Sequence, residues 1–141
     1  MSKTLFTSNW AIYQTYLGSR RGLLSDDSFY SVLLEAVDEA LSAVIGDAGR
    51  QALYFRLRVS YGIKKGDVPF KVEEFAQAVE DIFGEGARLI EIEILKRLYK
   101  KASARAKLGR FEHFLSDNLD LTFTGYISAL KQLYNCSPRK R

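Results

Sequence analysis

The chain has 141 residues, 47% of them hydrophobic and 27% charged, with a formal net charge of +4. That length suits one domain around one core, and the mildly basic balance permits an anionic partner without demanding one. The single cysteine, Cys136, excludes an internal disulfide framework and argues against a cysteine zinc site. The apolar runs fall far short of the ~20 residues a membrane span needs.

The N-terminal MSKTLFTSNW lacks the long apolar stretch of a secretory signal. A cytoplasmic protein with no membrane association is therefore expected. Residues 1–24 read as an aromatic segment and linker. Within it Trp10, Tyr13, Tyr16 and Leu17 fit helical spacing. Such a cluster either packs onto the core or forms a subunit or partner interface, where aromatics are enriched.

Residues 25–134 read as the helical domain. Over 27–45, Phe29, Val32, Leu33, Ala36, Val37, Ala40, Leu41 and Val44 recur at helical steps. Ser25 or Asp26 can cap the start, and Gly46 stands where a helix end wants positive φ. A second helix follows Asp47 and runs to Tyr61. Arg56 and Arg58 alternate there with Phe55, Leu57 and Val59, which is a strand pattern. The longer helical steps and Gly62 at the C-terminal position favour helix. KKGDVP, residues 64–69, reads as a loop.

The third helix, about 71–83, carries Val72, Phe75, Ala76, Val79, Ile82 and Phe83 on one stripe. Glu73 and Glu74 sit in its first turn, where they complement the dipole. The fourth, about 86–108, is expected to be the longest and central. Its LIEIEIL stretch alternates like a strand, but nothing separates it from the helical KRLYKKASARAK. Leu89, Ile90, Ile92, Ile94 and Leu95 make its first half apolar nearly all round, which points to the middle of the fold. RFEHFLSD then reads as a short turn. A last helix near 122–134 places Phe123, Tyr126, Ile127, Leu130 and Tyr134 together, and residues 135–141 form a basic tail with Cys136 in it.

Two glycine turns, GDAGR at 46–50 and GEGAR at 84–88, raise the question of a phosphate cradle. Such a site needs open backbone N–H groups at a helix start. Asp47 and Glu85 put a carboxylate there instead, and no Gly-Lys-Ser/Thr follows. Both read as helix junctions. His113 is the only histidine, has no spaced carboxylate set beside it, and reads as the polar side of an amphipathic turn. No catalytic residue, metal site or cofactor is expected.

From Lys96 to Arg110 there are seven cations and no acid. Lys96, Lys100, Lys107 and Arg110 fall on one side of the helix, with Arg97, Lys101 and Arg105 beside them. This is either a solvated face that complements the dipole or a contact for nucleic acid or an acidic protein.

The stretch from Gly46 to Tyr99 contains ALYF at 52–55, YGI at 61–63, Pro69, EEF at 73–75, IFGEGA at 82–87 and ILKRLY at 94–99. Over about residues 35–115 it resembles a family of small archaeal helical domains, the Nitrosopumilus output domain. The resemblance implies an all-α fold and a signalling output or regulatory role, and it implies no catalytic residues.

The expectation is therefore an all-α, single-domain bundle of five to six helices. Its expected function is that of a non-enzymatic regulatory module acting through protein–protein contacts, as a homodimer. The alternative is a nucleic-acid or transcription-machinery binder using the basic helix face.

Overall fold

The structure is a computed structural model and describes residues 24–105, 108–117 and 121–136. Among these the chain is helical, with short 3₁₀ segments and no strand. A helical stretch Leu24–Tyr61 breaks at Gly46, giving α1 (24–45) and α2 (47–61). A 3₁₀ segment Lys65–Phe70 leads to α3, Val72–Phe83. A 3₁₀ turn, Gly84–Gly86, opens directly into α4, Ala87–Arg105. The shorter α5, Phe111–Asp117, and α6, Phe123–Cys136, complete the described chain.

Gly46 has φ 81° and ψ 168°, a region open essentially only to glycine. The break reverses the chain. Residues 38 and 54 would lie ~24 Å apart along an unbroken helix, yet the Tyr54 hydroxyl donates to Asp38 Oδ1 at 3.1 Å. So α2 folds back along α1. Close by, Gly49 has no room for a side chain: a Cβ there would stand 2.9 Å from Ile45 Cβ. The GDAGR turn is thus a hairpin corner, held by Ser42 Oγ donating to Asp47 Oδ1 at 2.9 Å.

The other helix ends follow the same logic. Gly62 takes φ 68°, and the Ile63 N–H returns to the Leu57 carbonyl at 3.0 Å, satisfying one of the terminal acceptors of α2. Gly84 takes φ 60° after α3. Residues 65–70 are a 3₁₀ helix and not the expected loop: Asp67 Oδ2 accepts from the Lys64 N–H at 3.2 Å, and Val68 and Pro69 are buried beneath it.

The core is drawn from one stripe per helix. Phe29, Leu33, Val37 and Leu41 on α1, Leu53 and Leu57 on α2, and Phe75 and Val79 on α3 are all buried. They meet Ile90, Ile94, Leu98 and Ala102 on α4 and Ile127, Leu130 and Tyr134 on α6. α4 packs against the α1–α2 segment, α3, α5 and α6, so it occupies the centre. It is not the longest described helix: its 19 residues, Ala87–Arg105, are fewer than those of α1 (24–45). Nor is its first half buried all round: Leu89 is 68% and Ile92 42% exposed. The alternating LIEIEIL pattern is wound into a helix, which sends Ile90 and Ile94 inward and Leu89 and Ile92 outward.

Two further expectations are corrected. RFEHFLSD forms α5 rather than a turn, seated by Phe114 and Phe111 against the Tyr99 ring at 5.2 and 5.4 Å between centroids. Cys136 ends α6 rather than lying in a tail.

Candidate functional site

The α1–α2 hairpin builds a polar cluster centred on Asp38. Asp38 Oδ1 accepts from Arg50 Nη1 at 3.0 Å and from the Tyr54 hydroxyl, and Lys65 Nζ stands 3.3 Å away. Lys65 also lies over the Tyr54 ring, 5.2 Å from its centroid. Partial burial opposes ionisation of Asp38. The hydrogen bonds from Tyr54, Lys65 and Arg50 outweigh that and hold its carboxyl below the usual range. Burial first, and then the Asp38 charge, push the Tyr54 hydroxyl well above its ordinary pKa, so it stays a donor. The cluster ties together α1, α2 and the 3₁₀ segment. Sequence reading missed it because Asp38, Arg50, Tyr54 and Lys65 belong to three elements that only the hairpin brings together.

The expected basic face divides in two. Arg97 Nε meets Glu93 Oε2 at 2.8 Å within α4 and reaches Glu39 on α1 at 3.7 Å. Lys101 Nζ bridges Glu39 at 3.0 Å and Glu35 at 3.4 Å. Its hydrogen bond to Glu39 is the chief cause of its raised pKa. These two cations face α1 and are neutralised there. Lys96 and Lys100 point to solvent. Arg110 is exposed beside Glu112 at 3.8 Å. Arg105 closes α4, and Lys107 lies outside the described residues. Trp10, Tyr13, Tyr16 and Leu17 lie outside them too.

The described residues form shallow grooves, two of which border the elements above. One, of about 540 Å³, is lined by Glu80, Gly84, Glu85, Ala87, Arg88 and Glu91. It sits at the GEGAR turn. Burial, followed by the nearby Glu80 charge, pushes the Glu91 carboxyl upward. Three acids against one arginine make this a poor seat for phosphate. The other, of about 280 Å³, lies among α1, the 3₁₀ segment, α3 and α6, with Tyr30, Phe70 and Ile127 in its wall. At its edge Lys131 Nζ donates to the Tyr30 hydroxyl at 2.8 Å and covers that ring. His113 is exposed on α5. Among the described residues no group of three or more His, Cys, Asp or Glu is placed to hold a metal ion, and no helix is long and apolar enough to cross a membrane.

Among the described residues, the outer side of α2 also departs from an ordinary surface, because its exposed apolar side chains are aligned. Phe55 is 59% and Val59 63% exposed, and Ala48 and Ala52 are exposed with them. These four recur at steps of four, three and four residues, which aligns them along one helix face. The inward face carries Leu53 and Leu57. α2 is therefore apolar on two opposite sides, only one of which the core uses. Arg58 lies over the Phe55 ring at 5.7 Å, and both Arg56 and Arg58 are exposed. No protein-family model, curated protein or solved structure matches the chain.

Proposed function

We propose that this protein is a cytoplasmic regulatory module that acts through protein–protein contacts and not through chemistry of its own. The observation that carries the reading is the outward apolar stripe Ala48–Ala52–Phe55–Val59. Scattered apolar side chains are normal on a surface, but an aligned set is characteristic of an interaction site. Leu89 and Ile92 on α4 add a second exposed pair. The resemblance to an archaeal signalling output domain supports the regulatory role.

Among the described residues of the expected face, the nucleic-acid reading keeps Lys96, Lys100 and the exposed Arg110, because Arg97 and Lys101 are engaged by Glu35, Glu39 and Glu93. Both readings meet in one experiment. The full chain is immobilised and exposed to extract of its source cells, with and without nuclease, beside a Phe55→Ser/Val59→Ser variant. Nuclease-resistant protein retention that the variant loses is the expected result. Retention that vanishes with nuclease, falls steeply with salt and depends on Lys96 and Lys100 would replace this function with nucleic-acid binding.

A further inference from the structure

We infer that the outer face of α2 is the contact between two copies of this chain, packed antiparallel about a two-fold axis. The inference rests on the protein-contact reading above and names the partner. Its first support is the order of side-chain sizes along the stripe. The two small residues, Ala48 and Ala52, come first and the two large ones, Phe55 and Val59, come last. Reversing a second copy sets Ala52 opposite Phe55 and Ala48 opposite Val59. Both pairs share a single centre, between residues 53 and 54, so one two-fold operation satisfies them together. Each large side chain then enters a space left by an alanine, the knob-and-hole complementarity that helix pairs require. A parallel pair matches alanine to alanine and leaves gaps at the N-terminal end of the stripe.

Charge points the same way. Asp47 and Arg58 lie on the same flank of the stripe, near opposite ends of α2. Asp47 is 79% exposed, with its Oδ1 already held by Ser42 Oγ and Arg50, so a cation of the second copy would address Oδ2; Arg58 is exposed too. In the antiparallel register, Arg58 of each copy comes within about two residues, ~3 Å along the axis, of Asp47 on the other. The symmetry makes this ion pair twice. A parallel two-fold pair would carry this flank to opposite sides of the seam, so Asp47 of one copy and Arg58 of the other would not meet. On the other flank Arg56 finds no acid, but the antiparallel register separates the two Arg56 by about five residues, ~7 Å of axial rise. The stripe begins at the hairpin corner, so the glycine break at Gly46 fixes where the proposed contact starts.

The experiment uses the full chain. Sedimentation velocity from about 1 to 200 µM should show a monomer–dimer equilibrium. Phe55→Ser should raise the dimer dissociation constant by about tenfold or more with unchanged helical circular dichroism, because the side chain is outside the core. Orientation is read in a Cys136→Ser background. The pair Ala48→Cys plus Val59→Cys should give a covalent dimer on mild oxidation, while Ala48→Cys alone should not. A monomer throughout the range overturns the inference. So does a dimer that Phe55→Ser leaves intact, or one that Ala48→Cys alone cross-links as well as the pair. A monomer that still captures another protein through Phe55 and Val59 defeats the second copy but leaves the contact function standing. A monomer with no stripe-dependent capture defeats both.

Discussion

Replacing Gly46 by alanine asks whether 24–61 is a hairpin or one long rod, because the two answers differ in sign. In the hairpin, residue 46 sits at φ 81°, ψ 168°. A Cβ at this position meets nothing within 4 Å, so the whole cost is backbone strain. That strain is about 1–3 kcal/mol for a side chain held in a glycine-only region. The reduced freedom of the unfolded chain offsets about 0.4–1 kcal/mol of it. The net expectation is a loss of about 1–2 kcal/mol. For a domain of this size each kcal/mol moves Tm by about 3–4 °C, so Gly46→Ala should lower Tm by about 3–8 °C. An unbroken helix would instead gain about 1 kcal/mol from the same change, and Tm would rise. Scanning calorimetry with urea denaturation reads both sign and size. A rise in Tm, or no change, would refute the hairpin and with it the geometry of the Asp38 cluster.

Gly49→Ala should also destabilise, even though an interior helical alanine is ordinarily favoured, because its Cβ would meet Ile45 Cβ at 2.9 Å; chemical denaturation gives the sign. Asp38→Ala removes the shared acceptor of Arg50, Tyr54 and Lys65 and should cost about 1–2 kcal/mol, discounted for its partial exposure. Because the folded pKa of Asp38 is depressed, its contribution is complete above the unfolded carboxylate pKa and is lost as pH falls through the folded value; the variant should show a shallower acid limb in stability against pH. Lys101 has a raised folded pKa, so its contribution is full below the unfolded lysine value and is lost as pH rises through the folded one. Lys101→Met should cost about 0.5 kcal/mol at neutral pH and low salt and flatten the alkaline limb. Leu98→Ala, at a fully buried position on α4, should cost about 3 kcal/mol by cavity formation, measured by urea denaturation.

The sequence by itself determined that the described chain is helical and where three of its helices stop, at Gly46, Gly62 and Gly84. Helical periodicity in Phe29, Leu33, Val37 and Leu41 is a local property, and so is the demand for positive φ that Gly46, Gly62 and Gly84 meet. Both act within a few residues and need no partner to be read. Tertiary structure decided which of two apolar faces of α2 became core. Leu53 with Leu57 and Phe55 with Val59 are both spaced i, i+4, and only the direction of the fold at Gly46 put the first pair inside. It also decided the fate of the cationic run. Arg97 and Lys101 meet Glu35 and Glu39, acids some sixty residues earlier in the chain, while Lys96 and Lys100, one helical step away, face water. A helix fixes the angles among its own side chains. What stands opposite each of them is set by where the next helix packs, and for the outer side of α2 that helix belongs, by the present inference, to a second molecule.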